Sequence, residues 1–273
     1  MSQPLTSILM PVFNNIDIMA TSIQYLTQFT ETPFEIILID NGSWEPQTDA
    51  TYAALSQDPR IQVIRNKTNL GFGRANNLGL AQAKGRYIAL INSDMFPIAP
   101  WLGAVHNRFA QVEKCGAVQG LIVLPSAEQG VDQWSVQTCG SQFNAKGEAI
   151  YRLPNLPMHD PRVHQASPLH SFMGTGVVLD RAVIAEVGFF DEEYDIVFME
   201  DTDLSLRISQ AGYRVYYEPA ARFMHLHSAS MPHLEQAVYD RSRHFNKALY
   251  HQKWPVEKID AILQKQGFAS IMV

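Results

Sequence analysis

The sequence predicts an α/β fold, with a mostly parallel central sheet flanked by helices and followed by a C-terminal helical extension. The first half of the chain alternates two kinds of segment. Short apolar runs without a polar and apolar alternation are separated by longer stretches whose apolar residues recur every three or four positions. The short runs suit strands buried on both faces, and the longer stretches suit the helices that cover them. Ligands of such open sheets bind at the carboxyl ends of the strands.

Each element is predicted from its own local pattern. Strands are predicted at residues 7–13, 35–40, 61–65 and 86–92, and helices near 16–29, 47–57, 72–83 and 100–113. Pro100 fits the first turn of the fourth helix. From Pro125 to Pro168 the pattern loosens and indicates loops and a hairpin. Regularity returns at 172–180, with a helix at 201–211, strands at 213–217 and around 223–225, and a helical tail after residue 233.

The composition is that of a chain able to bury a full core. It has 273 residues, of which 46% are hydrophobic and 18% charged. The 21 Lys and Arg against 27 Asp and Glu give a net charge of −6, which argues against nucleic acid as a partner. The two cysteines, Cys115 and Cys139, suit a reducing compartment, and neither a signal peptide nor a membrane-spanning run is expected. We therefore expect a cytoplasmic protein with one domain over residues 1–273.

A candidate metal site follows the fourth predicted strand. The motif Asn92-Ser93-Asp94 places Asp94 at the open end of that strand. Mg²⁺ and Mn²⁺ take carboxylate oxygens together with phosphate and water, so one Asp there is a possible ligand. All three residue types also favour turns, and on spacing alone a simple turn is an equal alternative.

Polar residues also end the second predicted strand, in Asp40-Asn41-Gly42-Ser43. A carboxylate at this point can accept hydrogen bonds from the imide of a base or from a ribose hydroxyl. Asn-Gly is also a common turn pair, and taken alone the motif favours a turn.

A glycine-containing stretch lies between the third strand and its helix. Gly71 and Gly73 let the backbone approach a ligand closely, while Arg74 and the amide of Asn76 are suited to meet a nucleotide or a diphosphate. The match to a dinucleotide fingerprint is poor, because Asn76 stands where a third glycine is needed. The alternative is a helix start with glycines for close packing.

Three acidic residues open the predicted helix at 201–211, in Glu200-Asp201-Thr202-Asp203. Carboxylates in a first helical turn are stabilised by free N–H groups, so capping is the simple explanation. Three acids exceed what a cap needs, and a carboxylate that faces a pocket can act as a general base. Asp203 lies four residues before Arg207, a spacing that predicts an exposed ion pair and makes Asp203 the weakest catalytic candidate.

Two histidines, His225 and His227, follow the last predicted strand. In an extended segment both rings point to the same side, and a neutral imidazole is a common ligand of Mn²⁺. A structural pair is the more usual outcome for such residues. The sequence contains no HExxH, GxSxG or GxxxxGK[ST] motif, which argues against zinc hydrolases, serine hydrolases and P-loop NTPases.

Taken in order, these motifs resemble those of the nucleotide-sugar-dependent glycosyltransferases of family 2, and within them the rhamnosyltransferase-type branch of bacterial polysaccharide synthesis. The match runs from about residue 7 to residue 230. It rests on Pro11-Val12-Phe13-Asn14, Ile39-Asp40-Asn41-Gly42-Ser43, Asn69-Leu70-Gly71-Phe72-Gly73-Arg74-Ala75-Asn76-Asn77, Asn92-Ser93-Asp94, Gly174-Thr175-Gly176, Glu200-Asp201-Thr202-Asp203-Leu204 and residues 225–230.

The resemblance implies a single GT-A (Rossmann-like) domain that transfers a sugar from a nucleoside diphosphate sugar to a glycan or lipid-linked glycan, with inversion and with Mn²⁺ or Mg²⁺. Residues 1–115 would be the nucleotide-binding half, 116–232 the acceptor and catalytic half, and 233–273 the helical tail. A homodimer and a peripheral contact with the cell membrane are further expectations.

The resemblance also assigns roles to single residues. The nucleoside pocket would be formed by Pro11, Phe13, Asn14, Asp40 and Asn41, and the donor contacts by Gly71, Gly73, Arg74, Asn76, Asn92 and Ser93. Asp94 and His225 would hold the metal. Asp201 would be the general base, with Glu200 as a second catalytic candidate.

The chain departs from the family pattern at two positions. Asn92 replaces the first acid of the D-x-D motif, which removes one anionic contact, and Ser228 stands where relatives commonly have glycine. A non-catalytic binding module of the same fold therefore stays an alternative. A sugar nucleotidyltransferase is a weaker one, because the first loop has no glycine or lysine for a nucleoside triphosphate.

Two regions are expected to meet the acceptor or a membrane. Trp134, Phe143 and Tyr151, in the loop-rich region 129–165, are candidates for an acceptor wall, with ordinary loop packing as the alternative. The tail mixes basic and aromatic residues, which suits a membrane surface, although its composition favours a solvated face. The residues concerned are Tyr239, Arg241, Arg243, Phe245, Lys247, Lys253 and Trp254.

Overall fold

The four apolar runs of the first half form four adjacent parallel strands of a central sheet. The structure is a computed structural model that describes residues 5–125, 134–226 and 235–272. Its strands in these ranges are β1 (Thr6–Val12), β2 (Phe34–Asp40), β3 (Ile61–Arg65), β4 (Tyr87–Leu90), β5 (Met95–Pro97), β6 (Cys115–Leu124), β7 (Ser135–Thr138), β8 (Ser141–Phe143), β9 (Ala149–Tyr151), β10 (Ser167–Leu169), β11 (Val177–Asp180) and β12 (Arg214–His225).

The helices cover the two faces and the carboxyl edge of this sheet. In the same ranges they are α1 (Ile16–Phe29), α2 (Thr48–Leu55), α3 (Phe72–Gln82), α4 (Leu102–Gln111), α5 (Arg181–Val187), α6 (Glu200–Gln210), α7 (Gln236–Lys253) and α8 (Val256–Lys265), with a short 3-10 helix at Pro161–His164. The predicted helices α1 to α4, α6 and α7 are confirmed.

The strand order is β10-β12-β6-β11-β4-β1-β2-β3. Along this described path six of the eight strands run in one direction, and β10 and β11 run in the other. Strand β11 lies antiparallel between β4 and β6, so its first residue, Val177, pairs with the last residue of β4, Leu90. The segment that precedes β11 therefore lies at the carboxyl edge, beside the ends of the parallel strands. The mostly parallel α/β sheet is confirmed.

Alternate residues of the central strands pack on opposite faces of the sheet. On β1, Leu9 belongs to one apolar core, while Ile8 and Met10 belong to the other. Both faces are covered by helices, which is why these strands appear in the sequence as continuous apolar runs.

Some local predictions were wrong. Strand β6 was not predicted, and neither were β5, β7, β10 and α5. The two strands predicted at 213–217 and 223–225 are one strand, β12, which remains continuous through a bulge between Glu218 and Arg222. The loop-rich region does contain the predicted hairpin, formed by β8 and β9.

The C-terminal extension packs against α6. Leu206 of α6 forms an apolar cluster with Tyr250, Trp254, Ile259 and Leu263 from α7 and α8 and the turn between them. The helical tail predicted from the sequence is thereby confirmed and tied to the helix that carries the acidic motif.

Two global expectations can be compared with this structure. Cys115 and Cys139 are both buried, and neither forms a disulfide bond. Burial raises the pKa of the Cys115 thiol to about 12. Within the described ranges, every helix is too short or too polar to cross a membrane.

Candidate functional site

A cavity of about 360 Å³ opens at the carboxyl edge of the sheet. Its walls come from strand ends, from the loop before α3, from the segment before α6 and from α7. The lining residues are Pro11, Val12, Phe13, Asn41, Asn69, Gly71, Phe72, Asn92, Ser93, Asp94, Tyr151, Met173, Ile196, Val197, Phe198, His225 and Tyr239. Most of the predicted nucleotide and metal residues thus share one cavity.

Asp94 and His225 form one end of this cavity. Asp94 directly precedes β5, and β5 pairs with the end of β12 so that Met95 is opposite His225. This pairing brings Asp94 Oδ1 to 3.3 Å from His225 Nε2, and the Leu226 N–H donates to the Asp94 carbonyl at 3.0 Å. Both side chains are buried. The second predicted histidine, His227, lies outside the described residues.

The orientation of the His225 ring is set by Gln137 on β7. His225 Nδ1 lies 2.8 Å from Gln137 Oε1, and a carbonyl oxygen can only accept a hydrogen bond. With Gln137 Oε1 as the acceptor, Nδ1 carries a proton, and in the neutral ring Nε2 is then the atom that can ligate a cation together with Asp94. This is the tautomer that binds a metal through Nε2.

The segment 173–176 connects the Asp94 end to Asp201. The Asn92 N–H donates to Thr175 Oγ1 at 2.9 Å, and the Gly174 N–H donates to Asp201 Oδ2 at 2.8 Å. A Cβ on Gly174 would lie 3.3 Å from Asp201 Oδ2, so glycine permits this close approach. The two acidic motifs, about a hundred residues apart in sequence, are thus joined through Gly174 and Thr175.

Asp201 lies in the first turn of α6 and is half-buried. Burial raises the pKa of its carboxyl group, and hydrogen bonds from Gly174 and Thr202 oppose the shift. It is not among the lining residues, although Met173 and Phe198 beside it are. Tyr151 lines the cavity and lies close to Asp201. Burial is the larger cause that raises the pKa of its phenol, and the Asp201 charge is the second.

The other two acids of the motif have different surroundings. Glu200 is buried, and burial together with the Asp201 charge raises the pKa of its carboxyl group well above the usual value. Asp203 accepts from Arg207 at 2.7 Å and from Trp254 Nε1 at 2.8 Å. The predicted ion pair is present, but the expectation that it is exposed was wrong, because Asp203 is only 1% exposed.

The ends of β1 and β2 hold their polar residues by internal hydrogen bonds. Asn14 has a left-handed backbone, with φ of 57°, and its Oδ1 accepts from the Trp44 N–H at 3.1 Å. Asp40 is fully buried, accepts from the Ser43 N–H at 2.9 Å and from Arg65 Nε at 3.1 Å, and does not line the cavity. Its neighbour Asn41 does line the cavity.

The glycine-containing stretch is divided between the cavity and the interior. Gly71 lines the cavity and requires glycine, because its φ is 87° and a Cβ added there would lie 2.7 Å from the Ile196 backbone. Gly73 packs on Phe190. Arg74 donates to the Glu192 carbonyl at 2.8 Å, and Asn76 is buried and donates to the Phe72 carbonyl. For Gly73, Arg74 and Asn76 a donor contact stays a prediction.

The far wall of the cavity contains residues that no motif indicated. Phe198 and Tyr239 line it together, with ring centroids 5.2 Å apart and planes at 87°. Tyr239 belongs to α7, which the sequence indicated only as a tail. Tyr151 was named among several loop aromatics, and only the structure shows that it is the one of these that reaches the cavity.

The chain is similar in sequence to known proteins. Residues 7–188 match the family model described as Glycosyl transferase family 2. The O-antigen biosynthesis protein RfbC of Myxococcus xanthus is 30% identical over 233 residues, which cover 83% of this chain and 18% of that protein. The N-acetylglucosaminyl-diphospho-decaprenol L-rhamnosyltransferase of Mycobacterium tuberculosis is 27% identical over 252 residues, 84% of this chain and 79% of that protein. The chain thus spans less than a fifth of the first relative.

Two solved structures have a similar fold. GalNAc-T7 with UDP, GalNAc and Mn²⁺ aligns with a TM-score of 0.68 at 15% identity, over 98% of this chain and 55% of that one. The mannosyltransferase PcManGT of Pyrobaculum calidifontis, in complex with GDP-Man and Mn²⁺, aligns with a TM-score of 0.56 at 15% identity, over 97% of this chain and 75% of that one. The predicted GT-A fold is confirmed.

Proposed function

Since this chain belongs to glycosyl transferase family 2, as its motifs predicted, we propose that it is an inverting glycosyltransferase. It moves a sugar from a nucleoside diphosphate sugar to a hydroxyl of a saccharide or of a lipid-linked glycan. One observation carries the proposal: Gly174, which follows the cavity-lining Met173, donates to Asp201, and the next residue, Thr175, accepts from Asn92 of the cavity-lining Asn92–Asp94 motif. Direct displacement needs a positive charge that neutralises the leaving diphosphate and a base that takes the proton of the acceptor hydroxyl. We assign the first need to a cation at Asp94 and the second to Asp201.

The donor is assigned to the strand-end wall. Pro11, Phe13 and Asn41 line it on the β1 and β2 side, where a nucleoside fits between the strand ends. Asp40 lies behind this wall, and its oxygens accept hydrogen bonds from Ser43 and Arg65. We therefore assign it two roles, to hold the wall in place and to contact the nucleobase of the donor. Uridine and deoxythymidine present the same imide edge, and both stay candidates.

The residues at the Asp94 end fit a divalent cation. A buried carboxylate and an imidazole Nε2, 3.3 Å apart, are the donor types that Mn²⁺ accepts, and Mg²⁺ accepts the carboxylate. The described residues hold no group of three or more His, Cys, Asp or Glu suited to a metal, so phosphate and water would complete the shell. When bound, the cation neutralises charge on the leaving diphosphate. The Mn²⁺ in the two compared structures supports this assignment.

Asp201 is assigned as the base that takes the proton of the acceptor hydroxyl. Gly174 and Thr202 fix both of its oxygens, which orients the carboxylate. Its raised pKa makes it a stronger base than an exposed Asp, while the same hydrogen bonds keep the shift moderate. Burial raises the pKa of the Glu200 carboxyl well above its usual value, and Glu200 is buried where Asp201 is half-buried, so Glu200 is the weaker candidate for the base.

The acceptor is assigned to the aromatic wall formed by Tyr151, Phe198 and Tyr239. Aromatic rings pack on the apolar faces of sugars, and all three line the cavity. Burial and the nearby Asp201 charge raise the pKa of the Tyr151 phenol. Tyr239 packs on Phe198, three residues before Asp201. The name of the mycobacterial relative indicates a lipid-linked acceptor for that protein. A glycan on a lipid carrier is therefore our first choice of acceptor class.

Membrane contact and a homodimer stay predictions. In the tail, Arg241 pairs with Asp195, Lys247 with Glu148, and Lys253 with Asp191. Trp254 is buried. Much of the predicted basic and aromatic mixture is therefore used in packing the tail onto the domain.

The proposal is tested first by donor binding. UDP, dTDP, GDP and ADP are screened by thermal shift with and without Mn²⁺, because a ligand that binds the folded state raises its stability. Calorimetry then compares wild type with Asp94→Ala, and we expect the Mn²⁺-dependent affinity for the best nucleotide to fall by about tenfold or more. Asp58→Ala, on a surface turn and paired with Arg60, is the matched control and should bind as wild type does.

Transfer is measured with the labelled donor of that nucleotide. Transfer or slow hydrolysis supports the enzyme. Tight, metal-dependent binding of the nucleotide without transfer or hydrolysis would instead support a non-catalytic binding module. This is the alternative suggested by Asn92 in place of the first acid of the D-x-D motif. Equal binding by Asp94→Ala and wild type, with and without chelator, would remove the metal role of Asp94.

A further inference from the structure

The segment just before α6 has an unusual backbone. Phe198 and Met199 have φ of 85° and 73°, values that non-glycine residues rarely adopt. Such a backbone conformation is strained and persists only where surrounding contacts enforce it. Ile196, Val197 and Phe198 line the cavity, and Asp201 follows two residues after Met199. The strained turn therefore sets both a wall and the start of the catalytic helix.

One side chain of α7 holds this segment. Asn246 is fully buried, and its Nδ2 donates to the carbonyls of Asp195, Val197 and Phe198 at 2.9, 2.8 and 3.0 Å. Its Oδ1 accepts from the Asp195 N–H at 2.7 Å. A single amide thus satisfies four backbone groups of a segment whose turn prevents regular pairing.

Other residues on the same side of α7 reinforce the contact. Ser242 donates to Asp195 Oδ2 at 2.9 Å, and Tyr239 packs edge-on against Phe198. Positions 239, 242 and 246 follow helical spacing, so they lie on one stripe of α7. The stripe contacts the segment from Asp195 to Phe198 along its length.

We propose that Asn246 is a positioning residue for sugar transfer. It clamps residues 195–198 and so fixes the aromatic wall and the position of Asp201 against Gly174. This rests on the proposed function, because it assigns the wall to the acceptor and the base role to Asp201. Helix α7 of the C-terminal extension therefore positions the site.

The test compares three variants of the full chain. Asn246→Ala removes all four hydrogen bonds, and Asn246→Asp keeps the acceptor for Asp195 N–H but places an oxygen against three carbonyls. Tyr250→Phe is the matched control, since it keeps the ring and removes only a buried hydrogen bond of the same helix, to the Gly147 carbonyl at 2.8 Å, whose acceptor lies outside residues 195–199. Asn246→Ser replaces the alanine variant if that variant does not fold.

Four quantities are measured for each variant: kcat, KM for the acceptor, calorimetric affinity for the donor nucleotide, and hydrogen exchange at residues 195–199. For both Asn246 variants we expect kcat to fall about tenfold or more and the acceptor KM to rise, while nucleotide affinity stays within about twofold. Amides 195–199 should exchange faster, with β11 amides unchanged. Tyr250→Phe should match wild type in kcat at a comparable loss of Tm.

Two results would overturn the proposal. One is wild-type kcat and acceptor KM in Asn246→Ala or its serine replacement. The other is an equal loss in Tyr250→Phe, which would make the effect one of general stability. If wild type transfers no sugar from any donor, the proposed function fails, and unchanged exchange at 195–199 would then separately refute the clamp.

Discussion

The two walls of the cavity are built by different means. The donor wall consists of strand ends, and its positions follow from the hydrogen-bonded register of β1, β2, β4 and β12. The acceptor wall consists of residues 196–198 with Tyr151 and Tyr239, and side chains of α7 hold residues 196–198 in place. A sheet fixes the first wall through its backbone, whereas the second depends on a few side-chain contacts. The donor wall is therefore expected to be rigid and the acceptor wall to be the more easily altered by substitution.

The sharpest separation of the walls is expected from Asp201→Asn. The amide cannot accept a proton, so kcat for transfer should fall by about 10²- to 10⁴-fold. Nucleotide affinity by calorimetry should be unchanged, because the donor wall is not altered. Wild-type transfer rates in the purified variant would remove Asp201 as the base.

Much of the fold was predictable because local pattern and tertiary burial agree there. The runs that became β1 to β4 are apolar on both faces since helices cover both sides. Strand β6 was missed although it is almost fully buried, because Gly116, Gln119 and Gly120 interrupt its apolar run. Strand β12 was divided in two because Pro219 lies at its bulge. Only the pairing with β6 on both sides of the bulge shows that the two halves are one strand.

The site was predictable where motifs end strands and unpredictable where single side chains from distant segments meet. Asp94, His225 and Asp201 belong to ordered motifs, and the structure places Asp94 and His225 in the cavity wall and Asp201 against Gly174, next to the lining residue Met173. Gln137 and Asn246 stand in segments with no recognisable pattern, and their roles come only from contacts to residues 88 and about 50 positions away. No local signal in the sequence encodes such pairings.

The next largest effect tests the donor wall through Gln137. Gln137→Leu removes the acceptor of the His225 Nδ1 proton, so the ring loses its preferred tautomer and orientation. We expect Mn²⁺ affinity, measured by electron paramagnetic resonance, to fall by about 10- to 100-fold. Gln266→Leu loses hydrogen bonds to Ser209 and Tyr213 far from the cavity and serves as the control. Equal Mn²⁺ affinity in both variants would contradict the role of Gln137.

The acceptor wall is tested through Tyr239→Ala. Loss of a ring that packs against Phe198 and faces the cavity should raise the acceptor KM by about threefold to tenfold, as expected for about 0.5–1.5 kcal/mol of aromatic contact. Donor affinity should stay the same. Phe245→Ala, an exposed ring on the same helix, is the control. If the acceptor KM is unchanged while donor affinity falls, the assignment of the two walls is reversed.

The smallest effect on activity is expected from Glu200→Gln. This variant compares Glu200 with the adjacent acid, Asp201. Glu200 has a raised pKa in the folded protein because it is buried beside Asp201, whereas in the unfolded chain it ionises near its usual value. Wild type therefore gains a proton on folding, and its stability falls as the pH rises from the unfolded pKa through the folded one.

Glutamine has no such proton, so the free energy of unfolding of the variant minus that of wild type should increase from pH 4 to pH 7. The increase is at most about 1.4 kcal/mol per pH unit and is measured by urea unfolding at each pH. Transfer by this variant should stay within about tenfold of wild type, because Asp201 remains the base. A pH-independent difference in stability would mean that Glu200 is ionised in the folded state. The negative charge of Glu200 would then raise the pKa of Asp201, and Glu200→Gln would shift the acid limb of the transfer rate to lower pH.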